Sequence, residues 1–134
     1  MRGFMVDLLT LLSQASLVTL GQDAFGGAGS DVPGGDGPYT VIAQTGGLAG
    51  LYQHSEPGPW LERPSAQLSV RARTAELAWA QAQRCYDLLN GLTNRWVGPQ
   101  FYLYIRASQP PFDMGIDTAG RVKVGFNLRG EARV

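Results

Sequence analysis

Between Pro64 and Leu92 the chain keeps two rhythms in succession. Leu68, Val70 and Ala72 fall on one side and Gln67, Ser69 and Arg71 on the other. A period of two is that of a strand with one wet face, from about Ala66 to Ala72. At Thr74 the period changes. Ala75, Ala78, Ala82, Cys85, Leu89 and Leu92 recur at steps of three and four, which lines one face of a helix running to about Asn90. Thr74 suits the N-cap, and Glu76 places a negative charge in the first turn, where the helix dipole favours it. Asn90-Gly91 supplies a left-handed stop, with Leu92 folding back on the last turn.

The same reading organises the rest. Phe4, Leu8, Leu11 and Leu12 keep helical spacing, which predicts a first helix over residues 2–18, with Gly21 as its stop. Residues 21–38 are dense in Gly, Asp and Pro and read as a loop, tacked down by Phe25. Tyr39 to Gln44 reads as a short strand broken by Gly46 and Gly47. Residues 45–63 read as a second long loop carrying Tyr52, His54 and Trp60, and aromatic residues exposed there would favour partner contact. Phe101 to Ser108 is apolar on both faces and belongs in the middle of a sheet. Asp117 to Gly120 is a turn. In the last strand Val122, Val124, Phe126, Leu128, Ala132 and Val134 face in, while Arg121, Lys123, Asn127, Arg129, Glu131 and Arg133 face out. The predicted fold class is α+β: a single, mostly antiparallel four-stranded sheet packed by two main helices, in the order α-β-β-α-β-β. The first strand pair is an extended hairpin, and the last is joined closely enough for one. The whole of 1–134 reads as a single domain with long loops at about 21–38 and 45–63.

Composition narrows the function. With 134 residues, 44% hydrophobic and 16% charged, the chain can bury a real core and is not of the disordered class. Eleven basic residues balance eleven acidic ones, which argues against a dedicated DNA or RNA binder, since phosphate neutralisation supplies most of such affinity. Cys85 is the only cysteine, so no intrachain disulfide forms; its helix face marks it as a buried thiol. Asp7, Thr10, Ser13 and Gln14 interrupt the N-terminal apolar stretch, which reads as an amphipathic helix rather than a signal. No run reaches the roughly 18 apolar residues of a membrane span.

Candidate chemistry is sparse. A Cys85–His54 dyad needs the base beside the thiol, but one sits mid-helix on the packed face and the other in a Gly- and Pro-bounded loop. The glycine-rich segment 26–38 has no Gly-Lys-Ser/Thr ending and leads into a strand, unlike a phosphate loop. Asp31 with Asp36, and Asp113 with Asp117, lack calcium-loop spacing and read as turn formers. No catalytic residue, cofactor or metal site is assigned. Arg121, Lys123, Arg129 and Arg133, with Arg71 and Arg106 on the same sheet face, form a basic stripe. It is either a solvated face or a contact with another subunit.

Pro64, Gln67, Val70, Arg71 and Ala72, followed by the alanine-rich helix with Ala80, Tyr86, Leu88 and Leu89-Asn90-Gly91, resemble the tail terminator proteins of long-tailed bacteriophages. These are also called tail completion or minor tail proteins, and related minor capsid and neck proteins look similar. Softer matches are the N-terminal helix before a Gly/Pro-rich loop, Thr45-Gly46-Gly47 after a short strand, and the turn at Asp117 and Gly120 before VGFNL. The segment 21–38 differs in length from the family pattern.

The resemblance implies a structural protein of a phage or gene transfer particle, located at the head–tail interface and assembled in the host cytoplasm. Such proteins cap the tail tube as a ring, commonly of six subunits, and meet the connector. The implied partners are other copies of the chain in a homohexamer, the tail tube protein and a head-closure or connector protein. DNA would only pass through the lumen, and no membrane is involved. The implied contact residues are Tyr52, His54, Trp60, Arg71, Arg106, Arg121, Lys123, Arg129 and Arg133. The rival readings are a head-closure or neck protein, a small enzyme using His54 and Cys85, and a single-strand nucleic-acid module stacking bases on Phe101, Tyr102 and Tyr104.

Overall fold

A computed structural model describes residues 3–27, 35, 37–52 and 59–133, with the backbone alone at 51–52 and 59–60. Its elements run α1 (Phe4–Gln14), β1 (Ala24–Gly26), β2 (Tyr39–Tyr52), β3 (Pro59–Ala72), α2 (Ala75–Leu89), β4 (Leu92–Val97), β5 (Gln100–Ala107), β6 (Phe112–Ile116) and β7 (Val122–Arg133). The expected four-stranded sheet in the order α-β-β-α-β-β is overturned. Among the described residues the sheet has seven strands, in the order β1-β2-β3-β7-β5-β4, with β6 also paired to β7. It is mixed, because β1 runs parallel to β2 while the other pairs are antiparallel. It curls like half a barrel.

The second helix and the last strand follow the sequence pattern closely. The Thr74 side chain accepts the Leu77 N–H at 3.3 Å and caps α2. Ala78, Ala82, Cys85 and Leu89 are fully buried, and Tyr86 meets Phe126 edge-on at 5.5 Å. Ala75, expected on that face, is exposed, because the first helical residue precedes the contact with the sheet. Along β7, Val124, Phe126, Leu128 and Ala132 are buried while Arg129 and Arg133 are exposed. A Leu or Phe side chain buried in this way stabilises by about 1.5–3 kcal/mol.

Helix α1 is shorter than the expected 2–18. It ends at Gln14, and Ser16 turns the chain with φ 60°. Phe4, Leu8, Leu11 and Leu12 are buried as their spacing predicts, and Asp7 is buried with them. Its carboxylate accepts the Tyr102 hydroxyl. A buried carboxylate needs such a donor, since desolvation without one is costly. The end of α1 is tied to α2 through Gln81, whose amide donates to the Leu17 carbonyl at 3.2 Å.

The two long loops also need correction. Phe25 of the 21–38 segment lies in β1, with its ring 6.2 Å from that of Tyr39. The 45–63 segment is mostly strand: β2 and β3 continue past Thr45 as a long hairpin whose register shifts at Thr45/Leu48 and again at Leu48/Leu51. Gly47, with φ 66°, absorbs the first shift rather than ending the strand. Arg63 holds this arm by donating from Nε and Nη2 to the Ala49 carbonyl at 2.9 and 2.6 Å.

Strand β5 lies between β7 and β4. It is not apolar-buried on both faces: Tyr102 and Ile105 are buried while Arg106 is exposed. The close hairpin expected between Phe101–Ser108 and β7 is interrupted. Pro110-Pro111 separates β5 from β6, and the two share one side of β7 in turn. The turn Asp117–Gly120 is where it was expected, with the Asp117 carboxylate accepting the N–H of Ala119 at 3.0 Å and that of Arg121 at 2.9 Å.

Candidate functional site: the open face of the sheet

Both helices pack on one face of the sheet, and their buried side chains join Leu68, Val70, Phe126, Leu128, Tyr102 and Ile105 in one cluster. Strand registry then fixes which residues share the opposite face. Arg71 lies opposite Lys123, and Gln67 lies opposite Asn127, joined side chain to side chain at 3.2 Å. Arg129 lies opposite Arg106, and Arg133 opposite Phe101. Five of the nine expected contact residues, Arg71, Arg106, Lys123, Arg129 and Arg133, therefore share this face. Glu131 is the acid among them, opposite Tyr104.

Two like-charge pairs face each other here, Arg71 with Lys123 and Arg106 with Arg129. Like charges directly opposite destabilise a sheet. Aromatic rings hold three of the guanidiniums. Arg71 lies over Tyr39 at 5.3 Å, Arg106 over Tyr104 at 4.5 Å and Arg133 over Phe101 at 5.3 Å. Such contacts contribute about 0.5–1 kcal/mol at exposed sites, and a guanidinium stacked in this way can still donate from its N–H edges, as at the exposed Arg106 and Arg133. Beneath the β2–β3 arm the face dips into a shallow depression of about 230 Å³, bordered by Leu48, Arg63, Ser65, Tyr104 and Arg129.

Of the other expected contact residues, Arg121 is engaged elsewhere. Arg121 binds the Asp117 carboxylate through Nε at 2.8 Å and the Gly35 carbonyl through Nη1 at 3.1 Å. It serves the β6–β7 turn, and its hydrogen bonds hold the Asp117 carboxyl below its ordinary range. Tyr52 and Trp60 lie in β2 and β3 by their backbone. His54 lies outside the described residues.

Sequence reasoning missed Trp96. It is 64% exposed on β4, its ring 5.1 Å from that of Phe101, on the face that carries Arg133. Its strand was hidden by Asn94, whose φ of 48° breaks the alternation.

Of the chemistry considered, Cys85 is fully buried and its thiol is pushed up to about 12 by desolvation. That suits a packed side chain and not a nucleophile. Asp113 accepts the Gly115 N–H at 2.9 Å, so it and Asp117 act as turn formers. Among the described residues no cluster of His, Cys, Asp and Glu is placed to hold a metal ion, and no helix is long and apolar enough to cross a membrane.

No curated protein matches the chain. A chain from the solved "Virion of native gene transfer agent (GTA) particle" superposes with a TM-score of 0.66, over 98% of this chain and 95% of that one, at 14% identity. That is a likeness of fold. A family model described as bacteriophage tail terminator protein matches residues 11–129, a span that runs from the last turns of α1 to the basic end of β7. By that match the chain belongs to the bacteriophage tail terminator protein family.

Proposed function

We propose that this protein ends growth of the tail tube by forming a ring of its own copies on the last tube layer and then offering a new surface to the head connector. Family membership makes it a structural, tail-related virion protein; the ring, its six copies and the two partners are our reading. The observation that carries this reading is the open face of the sheet, where paired like charges and aromatic residues sit at the surface. A folded monomer gains nothing from such pairs, whereas an assembly partner can neutralise them. β4 lies at one edge of the described sheet, where a neighbour can cover it. A heterologous contact between copies closes into a ring when its rotation is right.

The mechanism is geometric. A ring seated on the tube blocks addition of the next layer, and no covalent step is needed. DNA passes through the lumen without being read. Deleting the gene and imaging the particles tests this: overlong tails free of filled heads are expected. Tails of normal length beside tailless heads would move the protein to head closure.

A further inference from the structure

Two cross-strand rows on the open face carry different chemistry. In the first, registry sets Trp96 opposite Phe101, Phe101 opposite Arg133 and Arg133 opposite Leu61. Trp96 stands out to solvent against the Phe101 ring. Gln100 fixes the row from behind by donating to the Arg133 carbonyl at 2.5 Å. This row offers apolar surface edged by one guanidinium. In the second row Ser65 lies opposite Arg129, and Arg129 opposite Arg106. It borders the shallow depression that Tyr104 and the exposed Ser108 also line. Among the described residues, the side chains of Arg106 and Arg129 have no ion pair or hydrogen bond. Glu131 lies between the rows, opposite Tyr104. Arg129 and Arg133 are four residues apart in β7, which at the rise of a strand sets the rows about 13 Å apart.

Resting on the reading of this face as an assembly contact, we infer that it takes an acidic segment of a partner protein, which seats a carboxylate between Arg106 and Arg129 and an apolar side chain against Trp96 and Phe101. Two cations facing each other across strands repel. A carboxylate has two acceptor oxygens, so one such group accepts from both guanidiniums at once. Arginine and tryptophan around a shared aromatic ring are residue types enriched where proteins meet. The spacing suits extended chain, in which positions i and i+4 point the same way about 13 Å apart. A nucleic acid fits less well. Its phosphate charge is continuous, about one per 1.7 Å of duplex, so it would run over the Glu131 carboxylate between the rows. The zero net charge of the molecule supplies no long-range attraction to a polyanion either.

Matched peptides test the inference. The first probe is acetyl-Glu-Thr-Thr-Thr-Leu amide, whose threonines favour an extended chain. The second replaces its Glu by Gln, and the third its Leu by Ala. Two-dimensional NMR of the full-length 15N-labelled protein follows the Trp96 indole N–H and the amides of Arg129 and Arg133. The first peptide is expected to shift these signals and to bind about fivefold more tightly than the Gln peptide. In the Arg106→Gln/Arg129→Gln variant that preference disappears, while the preference for Leu over Ala remains. Trp96→Ala does the opposite, losing the preference for Leu and keeping that for Glu.

Equal affinity of the wild type for the Glu and Gln peptides would overturn the inference, as would shifts confined to other surfaces or none at all. So would a double-stranded DNA that displaces the Glu peptide at the same salt and loses its binding in Arg106→Gln/Arg129→Gln, since the face would then belong to a polyanion. Equal peptide affinities together with overlong tails on gene deletion remove the acidic partner and leave the terminator role. A preference for the Glu peptide with tails of normal length keeps the contact and removes that role.

Discussion

Asp7 shows how one polar residue can sit in an apolar core. It occupies the buried face of α1 between Phe4 and Leu8, and its carboxylate takes the Tyr102 hydroxyl from β5. The Tyr102 ring meanwhile packs against Phe4 at 5.8 Å. In the sequence Asp7 is visible only as an interruption, because its partner lies 95 residues away. Tyr102→Phe keeps the ring and removes the donor, so it should cost about 1–3 kcal/mol in a urea titration with unchanged slope. Cys85, by contrast, was legible from its helix face. Its thiol rises from 9.0 to about 12 on burial. The folded state thus holds the proton longer than the unfolded chain, so this contribution to stability is full below about pH 9 and is lost as the pH climbs towards 12. Folded protein at pH 8 should leave Cys85 unlabelled by a thiol reagent, with labelling appearing only on denaturation; prompt labelling of native protein would contradict this. Gly125, in the VGFNL run, has a packing explanation. A methyl group there would strike the Leu68 carbonyl oxygen and come within 2.7 Å of the Met114 sulfur.

At the scale of elements, α2 and β7 were legible because one periodicity governs each from end to end. Thr74, Asn90 and the Asp117 turn add local bonds that agree with it. The β2–β3 arm was not, because its two glycines look like a strand break. Gly47 instead carries a positive φ inside the ladder, and a Cβ at that position would lie 2.6 Å from the Arg63 carbonyl oxygen. The hydroxyls of Thr45 and Ser65 meet across the strands just before the shift, at 2.5 Å. Gly47→Ala should therefore loosen the arm locally. Amide exchange across Leu48 and Arg63 should rise while α2 stays protected, and uniform protection would refute the role given to Gly47. β1, at three residues, is too short for any period to declare itself, and β4 is disguised by Asn94.

At the scale of the molecule, the basic row was legible in part. Alternation along β7 placed Lys123, Arg129 and Arg133 on one face with Arg71 and Arg106 expected there too, and strand registry gives the pairing, Arg71 opposite Lys123 and Arg106 opposite Arg129. Registry equally removes Arg121, whose guanidinium is taken up by Asp117 and Gly35. Trp96 could not be found from periodicity; an exposed tryptophan beside an arginine-rich strand is the signal to look for. The open face matters because an assembly protein acts through its surfaces, and this one joins an ordered sheet to a concentrated positive charge. Binding of an acidic partner surface to this face should accordingly weaken with added salt, as screened surface charge requires, and a binding titration over a salt series checks it. The central claim is that this protein stops tail growth, and tail length measured by negative-stain electron microscopy of particles lacking the gene tests it most directly. The account predicts tails far longer than normal and unattached to filled heads; tails of ordinary length would contradict it.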